Sequence, residues 1–395
     1  MEELNYSILC DANVLLDAFD RCKKNVIYKE SFQRYEANLF TNISNLKKKL
    51  QSHTYKQSDF YRFIIHERGA IRPIRSLTNV DDRIVQSILC THFLIPILQK
   101  YLIYDNGACI KGRGLDFNIR RLKKHLRDYY QTYGTNEGYV LLTDWSKFYD
   151  NVLHSKLLEL LREKIHDNEI YKLLADLVDS FKIDATDMTD EEYRECSEGI
   201  FILSEHFNLI QESGNETKYI HKSLGFGSEI SQMCGVFYPY LIDNICKVVY
   251  GMKFYGRYMD DTYIICDSKE KLLELLKDIE KQCNELGIHL NLKKTRIEKI
   301  DRYFKFLKKK VKLTDTGKVI TKPAQDSFTR ERRKLKKLKE KLNNKEITYK
   351  EIENHYKSWR GNFKKYDCYH RLGNMDELFN KLFIEDFVKE GYGGR

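Results

Sequence analysis

Two strand-forming runs meet at a polar point in Lys253-Phe-Tyr-Gly-Arg-Tyr-Met-Asp-Asp-Thr-Tyr-Ile-Ile-Cys266. Ile, Tyr, Phe and Thr favour strands, so the pattern predicts a β-hairpin with Asp260 and Asp261 at its tip. A second apolar run, Tyr139-Val-Leu-Leu-Thr143, ends in Asp144 and passes into a helical pattern carrying Leu157, Leu158, Leu160 and Leu161. From Ser268, the apolar positions Leu272, Leu276, Ile279 and Cys283 predict a helix stopped by Gly287. Leu335, Leu338 and Leu342 repeat at helical intervals through a basic run, and residues 1–65 read as largely helical. Asp184-Ala-Thr-Asp-Met-Thr-Asp-Glu-Glu192 has loop or helix-start character and reads as a solvated insertion, or as a place to dock a partner.

The paired acids add chemistry to this outline. Adjacent carboxylates on a tight turn bring no folding benefit, but they suit Mg²⁺, which takes carboxylate and phosphate oxygens. An acid at the end of a buried strand projects out of its sheet, although Asp144 would also serve as a helix N-cap. Together, Asp144 and the Asp260-Asp261 turn supply the carboxylates of a two-metal phosphoryl-transfer site. One ion would activate an attacking hydroxyl and the other would neutralise the leaving pyrophosphate.

Charge changes the picture of the C-terminal third. The chain has 395 residues and a net charge of +10, yet residues 301–350 hold 18 Lys/Arg against 6 Asp/Glu. The excess gathers at Lys308-Lys-Lys310 and at Arg330-Glu-Arg-Arg-Lys-Leu-Lys-Lys-Leu-Lys339. A basic amphipathic helix there would lie along a nucleic-acid duplex and draw affinity from phosphate contacts. Candidate contacts are Arg332, Arg333, Lys336 and Lys337, with Trp359 either stacking on bases or sealing a small helical core. The ten cysteines (Cys10, Cys22, Cys90, Cys109, Cys196, Cys234, Cys246, Cys266, Cys283 and Cys368) form no Cys-x-x-Cys pair. They read as buried thiols of a reducing compartment, not as a zinc site. No apolar run of about 18 residues and no signal peptide is recognisable, so a cytoplasmic protein without membrane contact is expected.

In order along the chain, several segments resemble the reverse transcriptases of bacterial retroelements. Arg72-Pro-Ile-Arg-Ser-Leu-Thr-Asn-Val-Asp-Asp-Arg-Ile-Val-Gln86 looks like the finger segment of that family, and Gly107-Ala-Cys-Ile-Lys-Gly-Arg-Gly114 like its Gly-Arg turn. The Asp144 segment and Tyr258-Met-Asp-Asp261 match the two palm motifs. Leu286-Gly-Ile-His-Leu-Asn-Leu-Lys-Lys-Thr295 is similar to the Lys-Thr motif, and Phe304-Lys-Phe-Leu307 to the primer-grip hairpin. The resemblance implies that Asp144 and Asp260 bridge the metals, with Asp261 and the Trp145 carbonyl in support. It implies that Tyr149 excludes a ribose 2′-hydroxyl, or else packs as a core Tyr. Lys294, or the adjacent Lys293, would protonate the departing pyrophosphate. Arg72 and Arg75 would grip the triphosphate, unless they are ordinary surface charges. Tyr258, Lys305 and Lys308 would contact template or primer.

One segment departs from the family pattern. Many relatives carry Pro-Gln-Gly and then Ser-Pro, where this chain has Leu224-Gly225-Phe226-Gly227 and Ser231-Gln232. The Ser-Gln ending and the missing Gln resemble the enzymes of diversity-generating retroelements. Phe226 and Gly227 would border the nucleotide, and an apolar ring cannot make the hydrogen bond of a Gln. Phe226 would equally suit plain palm packing.

The resemblance implies an α+β right-hand polymerase. Its parts would be an N-terminal helical extension over 1–65, fingers and palm over 66–300, and primer grip with a basic helical thumb over 301–395. Expected partners are an RNA template, a DNA or RNA primer, dNTPs and an accessory protein, with two Mg²⁺ ions (or Mn²⁺) as cofactor. A retroelement or an antiphage defence system is the expected setting. Two alternatives stay open: an RNA-binding module that makes no DNA, and template-independent or protein-primed synthesis.

Overall fold

A computed structural model describes residues 5–24, 26–67, 70–206 and 218–385 of the chain. The N-terminal part contains helices Ala12–Lys23 (α1) and Leu39–Gln51 (α2), strands Tyr61–Glu67 (β1) and Ala70–Ser76 (β2), and helix Val80–Ile88 (α3). Helix Leu115–Tyr133 (α4) leads to strand Tyr139–Thr143 (β3), helices His154–Arg162 (α5), Asn168–Asp179 (α6) and Asp190–Glu198 (α7), and strand Tyr219–Ile220 (β4). Then come helix Glu229–Phe237 (α8), strands Phe254–Tyr258 (β5) and Asp261–Cys266 (β6), and helix Lys269–Glu285 (α9). Strands Arg296–Lys299 (β7), Phe304–Phe306 (β8), Lys309–Leu313 (β9) and Val319–Pro323 (β10) precede helices Gln325–Asn343 (α10), Tyr349–Gly361 (α11) and Tyr369–Asn380 (α12). The architecture is α+β, as the sequence implies.

The chain forms two compact units. The first comprises Met1–Asn118, Thr143–Thr262 and Glu270–Thr295; the second comprises Ile119–Leu142, Tyr263–Lys269 and Arg296–Arg395. In the second unit, β7, β3 and β6 are hydrogen-bonded neighbours in that order. β7 runs antiparallel to β3, with Arg296 opposite Leu142 and Lys299 opposite Tyr139.

In the first unit, Asp11 caps α1 by accepting from Asn13 and Val14 N–H. Leu15, Ala18 and Phe19, spaced three and four apart, are buried against α3. The helical character expected through residue 65 ends at Gln51, because the Phe63-Ile-Ile65 run pairs as β1 with β2. α9 buries Leu272, Leu275, Ile279 and Cys283, so Leu275 takes the inward position expected of Leu276. Gly287 ends that stretch at φ +66, where a Cβ would stand 2.4 Å from the Leu153 side chain. The acidic stretch closes into α7, where Thr189 and Glu192 form a capping box.

In the second unit, β8, β9 and β10 form an antiparallel sheet. The β8–β9 turn places both Leu307 and Lys308 at positive φ, +46 and +61, a conformation usually filled by Asn and Gly. Beyond it, Phe328, Leu335, Ile352, Tyr356, Leu372, Met375 and Phe379 form the apolar core of α10, α11 and α12.

Candidate active site

Asp144 follows β3 directly, and its carbonyl accepts the Asn291 N–H at 2.8 Å. Its two carboxylate oxygens each lie 2.9 Å from the Lys294 Nζ, and Asn291 Nδ2 donates to Oδ2 at 3.2 Å. Asp260 is the second residue of the two-residue turn between β5 and β6. The first, Met259, has φ +55, a position where such turns favour glycine. Its strained backbone is held from below, because Arg257 Nη1 donates to the Met259 carbonyl at 3.2 Å.

These residues converge on a cavity of about 640 Å³, whose wall includes Arg72, Asp144, Tyr149, Phe226, Asp260 and Lys294. Tyr149 and Phe226 meet with ring centroids 4.9 Å apart, and the Tyr149 hydroxyl lies 3.7 Å from Met259 Sδ. Gly235 of α8 makes room for this ring, since a Cβ there would stand 2.9 Å from it. Asp261 opens β6 beside the turn and Tyr258 closes β5.

Buried carboxylates and one ammonium set the electrostatics of the cavity. Burial, and then the neighbouring Asp144 carboxylate, push Asp260 up to about 6. Burial works against the charge on Lys294, but the hydrogen bonds and charge of Asp144 outweigh it and hold the amine above its usual range. Asp150, on the same wall, is also pushed up to about 6 by burial. An acid whose pKa is raised by folding costs stability once ionised. For Asp260 the cost is absent below about pH 4, grows as pH rises, and is complete above about pH 6. Asp260→Asn should therefore stabilise the chelator-treated protein at pH 7.5 by on the order of 2–3 kcal/mol, with no gain near pH 4. Urea melts at the two pH values check this; an equal effect at both would show that Asp260 ionises freely.

The remaining candidate residues are placed variously. Arg72 lines the cavity and pairs with Glu67 at 3.3 Å. Arg75 does not line it. It is 2% exposed, with Nη1 donating to the Phe181 carbonyl. Gly227 borders a separate cavity of about 160 Å³ with Arg83 and Gln86. In the second unit Lys305 is exposed on β8, and Arg332, Arg333 and Lys336 line a groove of about 370 Å³ with Asn374 and Leu378. Lys337 is exposed on α10. The Trp359 ring packs on Phe328, Tyr356 and Phe363, at centroid distances of 5.5, 5.8 and 4.9 Å, so it seals the helical core.

Sequence reasoning missed what lies behind the turn. Arg257 and Asp243, both without solvent exposure, form a two-pronged pair: Nε lies 2.8 Å from Oδ1 and Nη2 lies 2.6 Å from Oδ2. Nothing in a fourteen-residue separation signals that contact. Asn291 was within reach, because it stands three residues before Lys294 in the Lys-Thr segment.

The chain belongs to the reverse transcriptase family. The model of that family, described as reverse transcriptase (RNA-dependent DNA polymerase), matches residues 55–311. Among solved structures, the chain is similar to apo telomerase from Candida tropicalis truncated from its C-terminal domain. Identity is 12% and the TM-score 0.45, over 66% of this chain and 54% of that one. The curated proteins hold no match. Among the described residues, no helix is long and apolar enough to cross a membrane.

Proposed function

We propose that this protein is an RNA-directed DNA polymerase that extends a DNA or RNA primer along an RNA template. The observation that carries the reading is the convergence of Asp144 and Asp260, from separate elements, on one cavity walled by Tyr149, Arg72 and Lys294. The donor set fits divalent ions. Asp260 is held back from ionising by burial and by Asp144, and an ammonium already stands against Asp144 as a counter-charge. Asp144 and Asp260 would hold two Mg²⁺ ions, with Asp261 and the Trp145 carbonyl in support. When bound, Mg²⁺ would supply the activated primer hydroxyl and shield the charge on the departing pyrophosphate.

The chain's own groups do the rest. Lys294, kept protonated, gives its proton to a pyrophosphate oxygen as the bond to the α-phosphorus breaks. Arg72 grips the triphosphate with its guanidinium fork. Tyr149 fills the space that a 2′-hydroxyl would need. The groove of Arg332, Arg333 and Lys336 holds duplex phosphates, joined by Lys305, Lys308 and Lys337. The fingers and palm correspond to residues 66–300 and the primer grip and thumb to 301–395. The setting is a bacterial or phage retroelement or a defence system, in the cytoplasm, with a dedicated RNA.

Primer extension on RNA with Mg²⁺ and dNTPs tests the reading. Extension by the wild type, absent from an Asp260→Ala/Asp261→Ala control, supports it. Silence on native RNA, with RNA still bound, favours a binding module instead. The Phe226 ring bears on fidelity, because it packs on Tyr149 and cannot hydrogen-bond to a base or sugar. Phe226→Gln should lower misincorporation several-fold, on the order of the roughly 1 kcal/mol that one such bond supplies. Unchanged error spectra in the sequenced products would assign Phe226 to packing alone.

A further inference from the structure

His154 opens α5, Asp179 closes α6 and His221 directly follows β4. None of the three lines the catalytic cavity. One ligand atom from each lies within 4.8 Å of the other two. His154 is 3% exposed, and its Nε2 lies 2.7 Å from the Ser223 carbonyl. A carbonyl only accepts, so Nε2 carries the proton and Nδ1 presents a bare lone pair. That Nδ1 is buried and has no hydrogen-bond partner among the described protein atoms. Burial also lowers the pKa of this ring to about 4, which keeps it neutral. His221 Nδ1 lies 3.1 Å from Asp179 Oδ1, while Asp179 Oδ2 is taken by Lys182 at 3.0 Å.

We propose that His154, Asp179 and His221 bind one divalent transition ion of the zinc class, with water completing its shell. An orphaned buried acceptor is costly, and an ion on Nδ1 would remove that cost. The Ser223 carbonyl already fixes the tautomer, as the outer partner of a metal-bound imidazole commonly does. Zinc bonds of about 2 Å place ligand atoms roughly 3.3 Å apart, a separation that His221 and Asp179 already show. Two imidazoles and a carboxylate suit zinc-like ions better than Mg²⁺ or Ca²⁺, which prefer oxygen alone. The ordinary reading, a half-exposed His–Asp pair beside a core histidine, accounts for His221 and Asp179 but leaves the buried Nδ1 unexplained. No cysteine takes part. The ion would tie α5 and α6 to the segment that continues through Leu224, whose N–H donates to the Tyr149 carbonyl at 3.0 Å. It would thereby steady the approach of Phe226 to the cavity.

Co²⁺ is the probe, because its visible absorption is intense in four-coordinate nitrogen–oxygen sites and weak in hydrated carboxylate sites. The full chain, stripped by chelation and held in excess Mg²⁺, is titrated with Co²⁺. The expected result is an intense band saturating at one equivalent and bleached by Zn²⁺. In His221→Ala and Asp179→Asn, affinity should fall at least about tenfold. Both replaced side chains are half-exposed, so the variants should keep the wild-type melting temperature in chelator. A wild type without the band, or a His221→Ala protein that binds Co²⁺ equally well, would overturn the proposal.

Discussion

Asp260→Asn should reduce DNA synthesis on an RNA template by about 10³-fold or more, since several kcal/mol of charge stabilisation are lost. RNA affinity should stay within about twofold, because the basic groove proposed to hold phosphates is untouched. The substitution keeps the shape of the turn while removing the charge. Asp144→Asn should behave alike, with the added consequence that Lys294 loses one of its two acceptors and its counter-charge. Single-turnover extension beside a filter-binding assay separates chemistry from binding. Near-normal extension by Asp260→Asn would place the chemistry elsewhere in the chain.

The second large effect concerns a pair that touches no substrate. Asp243→Ala leaves the Arg257 guanidinium fully buried without its carboxylate, at a cost of about 3–5 kcal/mol. The melting temperature should fall by on the order of 10 °C. A double variant, Asp243→Leu/Arg257→Met, removes both charges and should recover most of the stability. It should not recover activity, because the Arg257 donor to the Met259 carbonyl beside Asp260 is gone. Urea melts and primer extension on both variants check the split. Full activity in the double variant would mean that the turn holds itself.

How much of this was legible in the sequence depended on distance along the chain. The β5–β6 hairpin and the strand ending at Asp144 could be read from runs of strand-forming residues, and α9 from its helical repeat. Each is a local signal. The partners of those elements were not local. Asn291 reaches Asp144 across 147 positions, and Arg257 reaches Asp243 through a buried contact that leaves no periodicity. Arg75 could not be told from Arg72 in sequence, because only the fold shows its guanidinium buried against the Phe181 carbonyl. Trp359 was ambiguous because an aromatic flanked by basic residues serves either a base or a helical core. His154 gave no warning, since one histidine at a helix start becomes informative only when Asp179 and His221 stand beside it.

The wall of the cavity at Asp144 and Asp260 is drawn from residues 71–73, 144–150, 200, 202, 204, 226, 259–260, 291 and 294. Closing loops of that length costs entropy before any contact repays it, so such a wall forms late in folding. During refolding, the return of nucleotide incorporation would mark completion of the first unit, and would lag behind any spectroscopic sign of helix formation.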